Sequence, residues 1–220
     1  MMKRILIITA ALLCAIACGS NSNNKGLKTG DLIFVGIPWE SDAPDLTTMG
    51  SAIVAATGEE DALNMVHVAI AEVKGDSIWV IDATPGHGVD RYPLDTFLSD
   101  IHSQDGVIPT IVVKRVVGYD VEEFVDNAKA FIGEPYDICF LPDNGAKYCS
   151  ELVYDSYVSS DGKHLFGSKP MNFKNQDGEM PIYWEQLFSS MNMEVPQGIP
   201  GTNPHDMSKS SILEEVNTCL

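Results

Sequence analysis

The chain has 220 residues, 45% of them apolar, and a formal charge of −17. That length supports one substantial core rather than two comfortable domains. The acidity argues against nucleic acid as a partner, because a phosphate backbone repels such a surface, and it fits a soluble chain whose copies repel one another outside the cell.

Residues 1–17 begin Met1-Met2-Lys3-Arg4 and continue as an apolar run from Ile5 to Ala17, the charged-then-greasy layout of an export signal. The run is too short to span a bilayer. Ala15-Ile16-Ala17 satisfies the small-x-small rule of an ordinary signal peptidase, and Cys18 in the next position suits a bacterial lipoprotein signal. Both readings cut the same bond. The lipoprotein reading predicts a lipid on Cys18 and anchorage in the bacterial cell envelope; the other predicts a periplasmic or secreted protein. Residues 18–28, with Gly19-Ser20-Asn21-Ser22-Asn23-Asn24, have the composition of a flexible tether.

Gly30 to Gly36 reads as a short apolar strand entered through a turn. Ile37 to Thr47, with two prolines and Trp39, reads as a loop long enough to overhang a cleft. Thr48 to Ala56 suits a short helix closed by Gly58. Val66 to Val73 and Ile78 to Ala83 read as strands around a hairpin turn, Lys74-Gly75-Asp76-Ser77. Pro109 to Val117 gives a further strand. Asp120 and Glu123 form a capping box ahead of a helix whose apolar stripe is Val121, Phe124, Val125, Ala128, Phe131 and Ile132, with Gly133 at its end.

A second helix starts at Cys149, carries Leu152, Val153 and Tyr157 on one face, and breaks at Ser159-Ser160-Asp161-Gly162. Another is expected around Ile182 to Met191. The order fits an α+β domain in which helices cover one face of an antiparallel sheet. Residues 29–165 form that domain and 166–220 an extension packed on it.

Cys139, Cys149 and Cys219 remain after the signal and tether, and an odd number implies a free thiol or an intermolecular bond. Cys139, in Ile138-Cys139-Phe140-Leu141, reads as an inert core residue, with a disulfide to Cys219 as the alternative. Cys149 stands where a polar loop gives way to an amphipathic helix. The partial positive charge of a helix start favours a thiolate, so Cys149 is a candidate nucleophile.

Of the histidines at 67, 87, 102, 164 and 205, only His67 sits at the start of a clear strand. If the hairpin loop is Gly75-Asp76, Ala69 opposes Asp82 and His67 opposes Thr84, which puts His67 and Asp82 on one face as diagonal neighbours. A loop one residue longer would send Asp82 to the other face. On the first register Cys149 attacks, His67 is base and then acid, and Asp82 orients the ring. The Cys149 backbone N–H is the first oxyanion donor; Tyr136, Tyr148 and Trp39 are candidates for completing that site or lining the cleft. His87, in Gly86-His87-Gly88, reads as a turn residue near the site.

Gly30-Asp31-Leu32-Ile33-Phe34, His67-Val68-Ala69-Ile70, Ile81-Asp82-Ala83, Gly133-Glu134-Pro135-Tyr136-Asp137 and Tyr148-Cys149-Ser150-Glu151-Leu152-Val153, in this order, resemble the circularly permuted papain-fold cysteine hydrolases of the YiiX and YaeF type, within the NlpC superfamily. In unpermuted relatives the cysteine helix comes before the histidine strand. The resemblance implies a permuted papain-like fold, the same three catalytic roles, and hydrolysis of amide bonds, with cell-wall (peptidoglycan-derived) peptides as substrates of exported members. It departs from the pattern at Asp82, where similar sequences often carry glutamate; the shorter side chain asks the two strands to approach more closely. Lipid acyltransferases and phospholipases share the fold group, so acyl-ester chemistry is the alternative, and a catalytically silent binding module with the same cleft is a third reading. No cofactor is expected. No metal site is expected either, since His67, His87, Asp82 and Cys149 form no close pair in sequence.

Overall fold

The computed structural model describes residues 26–38, 46–59, 62–102, 108–218 and 220. The export signal, Cys18, most of the tether, Trp39 and Cys219 lie outside the described residues, as does the side chain of His102.

Alternation of apolar side chains builds the centre of the fold. β1 (Asp31–Pro38), β2 (Leu63–Lys74), β3 (Ser77–Thr84), β4 (Gly88–Pro93), β5 (Thr110–Val116) and β8 (Leu213–Val216) form one antiparallel sheet in the order β4-β3-β2-β1-β5-β8. Leu32, Phe34, Val68, Ile70 and Ile81 point to one face, where they meet α3 (Glu122–Ala130) and α4 (Cys149–Ser156) through Val125, Leu152 and Val153. Ile33, Val35, Ala69, Ala71 and Val80 point to the other, under Leu94 and Phe97 of α2 (Leu94–His102). Both faces are therefore covered, not one. The difference comes from α2, whose Leu94, Phe97, Leu98 and Ile101 carry the i, i+3, i+4, i+7 spacing of a helix laid on a sheet.

The hairpin between β2 and β3 has a two-residue loop, with Lys74 paired to Ser77. Gly75 takes a φ of 59° while Asp76 does not turn positive, the arrangement of a II′ turn, which calls for glycine first. The register runs as the two-residue loop requires from Lys74↔Ser77 to Ile70↔Ile81. Among the described residues the β2–β3 ladder stops there. Expected ladder partners Ala69–Asp82 and His67–Thr84 do not form; β3 continues against β4 alone through Asp82↔Asp90 and Ala83↔Val89, and β2 continues against β1. The strands separate where the candidate site begins.

α3 starts one residue past the expected capping box. Its N-cap is Val121, and Asp120 Oδ1 accepts only the Glu122 N–H, at 3.3 Å. Between β1 and β5, the fully buried Asp31 receives Arg115 Nε at 2.6 Å and Nη2 at 2.7 Å, so its charge is paired.

Residues 166–220 are more than a covering layer, because β8 closes the sheet beside β5. The same stretch holds β6 (Lys169–Pro170) and β7 (Pro200–Gly201), a short two-stranded pair, together with α5 (Ile182–Ser190) and α6 (Pro204–Ser208). Phe140, Phe173 and Trp184 pack edge to face with one another, and Phe188 packs edge to face on Phe173. With Ala52 of α1 (Met49–Thr57) and Tyr148 they form a separate aromatic cluster beside the start of α4.

Candidate active site

Cys149 is the first residue of α4, preceded by Tyr148 in extended conformation. Its N–H, at the first helical position, has no partner within the helix and points along the positive end of the helix axis. The thiol is free, 6% exposed, and lines a large cleft of about 1490 Å³. One neighbour fixes this helix start from outside it, through two hydrogen bonds. Thr202, just after β7, donates its N–H to the Tyr148 hydroxyl at 3.0 Å and its Oγ1 to Ser150 at 2.9 Å.

His67 reaches the cleft because β2 is irregular at this point. Val35 pairs with His67 and Gly36 with Met65, leaving Val66 as an extra residue in β2. Such a bulge turns the strand and re-aims the side chains around it. The imidazole stacks on Phe97, with ring centroids 6.2 Å apart, and is 21% exposed. Its Nε2 lies 2.8 Å from Asp82 Oδ1. Nδ1 is then the nitrogen left to face Cys149, whose sulfur acts electrostatically on the ring.

Asp82 is 1% exposed and its carboxylate is fully engaged. Besides His67, Oδ1 accepts the Ala83 N–H at 2.7 Å, and Oδ2 accepts the Tyr92 hydroxyl at 2.8 Å. Burial alone would favour neutral His67. The Asp82 charge, the Cys149 sulfur and the contact with Asp82 outweigh it and hold the imidazole's pKa well above its ordinary value. Where β2 and β3 separate, a cysteine helix on one face of the sheet and a histidine turned to the other meet at the strand ends. Aspartate is long enough to span that gap.

Tyr136 is placed beside Cys149 by backbone pairing: Lys147 N–H donates to Pro135 O at 3.0 Å and Asp137 N–H to Lys147 O at 3.1 Å. Its hydroxyl lies 3.8 Å from Met49 Sδ, and burial, then the Cys149 charge, raises its pKa. Tyr148 also lines the cleft, but its hydroxyl is held by Thr202 and its ring by Phe140, at 5.3 Å. Burial lifts that phenol as well. Trp39 cannot be placed, since it lies outside the described residues.

Among the described residues, His87, His164 and His205 are not brought to the thiol. His87 sits in the turn before β4, on the cleft wall, with Nε2 3.9 Å from Asp100 Oδ2 and its ring 5.5 Å from that of Tyr92. His164 stacks on Tyr154 at 3.9 Å, and His205 is buried in α6, where Nδ1 accepts the Met65 N–H at 3.4 Å. Cys139 is half-buried and free rather than a sealed core residue, and burial raises its thiol. Glu151, two residues into α4 from Cys149, is pushed up to about 8 by burial, with Lys147 opposing and Asp137 and Asp155 adding to the rise.

Tyr92, Phe97 and Thr202 were not legible as site residues in the sequence. β4 has six residues, ends in Pro93 and buries only Val89 and Tyr92, which do not alternate, so it is too short to read, and Thr202 lies in a loop. The spacing of α2 is the one signal that points to Phe97.

A family model described as "Permuted papain-like amidase enzyme, YaeF/YiiX, C92 family" matches residues 26–217. The protein YiiX of Escherichia coli strain K12, described as uncharacterized, is 25% identical over 174 residues, which cover 77% of this chain and 75% of that protein. A crystal structure described as the metalloprotein yiiX of Escherichia coli O157:H7 superposes with a TM-score of 0.63 at 24% identity, covering 88% of this chain and 98% of that one. At that identity the superposition speaks for the fold alone. The metal in its description concerns that protein; among the described residues here, no three His, Cys, Asp or Glu side chains come together in a way that could hold an ion. The match to the family model spans the sheet, the cysteine helix and the closing strand β8, and the chain belongs to the YaeF/YiiX (C92) family of permuted papain-like amidase enzymes.

Proposed function

We propose that this protein is a cysteine amidase or peptidase acting outside the cytoplasm on an amide bond of a cell-wall-type peptide, with Cys149 as nucleophile. The observation that carries this reading is the His67 imidazole, held by Asp82 at 2.8 Å on one nitrogen and close enough to the Cys149 sulfur to feel its charge. His67 takes the proton of the Cys149 thiol as the sulfur forms a bond to the carbonyl carbon, and the resulting oxyanion is met by the Cys149 N–H and the Tyr136 hydroxyl. The tetrahedral intermediate collapses by breaking the C–N bond, and His67 gives its proton to the departing amine. Water, deprotonated by His67, then attacks the thioester, releasing the acid and returning the thiol. Asp82 keeps its charge throughout and holds the ring. Anchorage through a lipid on Cys18 would keep the activity at the envelope, and a mass shift on the mature N-terminus tests it.

Iodoacetamide at neutral pH tests the site. Selective alkylation of Cys149, lost in His67→Ala, supports the hydrolase; equal reactivity of Cys139 and Cys149 leaves only a binding module. Muropeptides with Cys149→Ala as control then test the substrate.

One observation favours the acyl-ester alternative. The cleft wall beyond Cys149 is apolar, with Ile53, Phe140, Met171 and Phe173 among its lining. Turnover of phospholipid vesicles with no turnover of peptides would decide for it.

A further inference from the structure

We infer that Tyr92 is a positioning residue of this site: its hydroxyl fixes the Asp82 carboxylate in the rotation that turns Oδ1 toward His67. The inference rests on the Cys149–His67–Asp82 reading above. Tyr92 lies on β4 opposite Val80, while Asp82 pairs with Asp90, so the phenol reaches diagonally along one face of the sheet to the carboxylate. The ring is 9% exposed and packs with Val80, Leu94 and Phe97, the residue on which His67 stacks. Of the two carboxylate oxygens, Oδ1 serves His67 and Ala83, and Oδ2 has Tyr92, at 2.8 Å. A buried carboxylate oxygen without a donor is costly, so loss of this hydroxyl frees the carboxylate to turn in search of another partner. Any turn takes Oδ1 away from the imidazole.

Burial, followed by the Asp82 charge, keeps the phenol proton far above its ordinary range, so the donor is present at every pH at which the protein is folded. The other ionisable groups facing this arrangement are Asp90 on β4, Asp100 on α2, His87 in the turn, Cys149 on α4 and Tyr136 beside it. All of them remain in Tyr92→Phe, so a change in that variant reports the hydroxyl.

The test is the NMR titration of His67 in the full chain, as wild type, Tyr92→Phe, Asp82→Asn and the double variant. A positioning role lowers the His67 midpoint in Tyr92→Phe by about half a pH unit or more, a roughly threefold weaker hold on the proton. In the Asp82→Asn background the same change has no further effect, because the two side chains act as one unit. Melting curves taken alongside report packing, which does not move a titration midpoint by itself. A midpoint that falls in Asp82→Asn but stays or rises in Tyr92→Phe overturns the role of Tyr92 alone; one indifferent to Asp82→Asn overturns the triad reading beneath it. If Tyr92→Phe does not fold, the wild-type hydroxyl proton decides: it is expected downfield and protected from exchange, and a resonance of that kind unchanged in Asp82→Asn overturns the inference.

Discussion

Replacing Glu151 by glutamine is expected to stabilise the protein by an amount that grows with pH. Glu151 is 7% exposed in the first turn of α4, and its carboxyl is pushed up to about 8 by burial. In the unfolded chain it ionises near its ordinary 4.5. Between these values the folded protein holds a proton that the unfolded chain has released, so stability falls as pH rises through that window. The slope is about 1.4 kcal/mol per pH unit, and the whole window is worth about 5 kcal/mol at most. Lys147 is paired to Asp155, which is 27% exposed, so water reaches one end of this group. We therefore expect about 2–4 kcal/mol by pH 9. Glutamine keeps the volume and an oxygen for the Tyr148 N–H, now 3.4 Å from Glu151 Oε2. Urea denaturation of both proteins at pH 5, 7 and 9 reads the difference. A gap that stays constant with pH, or a glutamine variant less stable at pH 9, would refute the argument.

Glu72 behaves in the opposite sense. Although buried, it is held at about 2 by ion pairs with Lys129, Arg91 and Lys74, so it contributes stability that is fully present above 4.5 and lost as pH falls through about 2. Glu72→Gln should destabilise by about 2–3 kcal/mol at pH 7, less than the full shift because Lys74 is largely exposed, with the gap closing in thermal melts below pH 4. Gly88→Ala tests the seat of Tyr136. Gly88 has a φ of 68°, and a Cβ there would stand 2.5 Å from the Glu134 carbonyl oxygen, which also accepts the Val89 N–H. A loss of about 1–3 kcal/mol is expected, with slower alkylation of Cys149 if Tyr136 is displaced; an unchanged melting temperature would contradict this placement.

The segments that carried the strongest local signals are those the sequence determines. β1, β2 and β3 follow from alternating apolar residues, and Gly75, the residue that can take positive φ, sets the hairpin loop at two residues. That loop length fixes the register from Lys74↔Ser77 to Ile70↔Ile81, and strand alternation continued past it predicts His67 and Asp82 on one face. Cys149 at a helix start is equally local information, because capping and amphipathicity act within a few residues. The cap of α3 was misread by one position, since Asp120 and Glu123 compete with packing that begins the helix at Glu122. β4 and β8 were missed for a different reason. Each is a short edge strand of four to six residues whose pairing, with β3 or β5, supplies the order that its own sequence lacks.

What only the tertiary structure decided is how the site is assembled. The β2–β3 ladder ends at Ile70↔Ile81, and a bulge at Val66 turns His67, so groups that start on opposite faces of the sheet meet at its edge. Tyr92 reaches Asp82 from a neighbouring strand, and Thr202 holds the cysteine helix from a loop more than fifty residues away. Periodicity and turn chemistry belong to neighbours along the chain, and they point to Cys149, His67 and Asp82 as candidates. The separation of two strands and a hydroxyl aimed at a buried carboxylate arise from contacts between segments that the chain brings together only when the core closes around them.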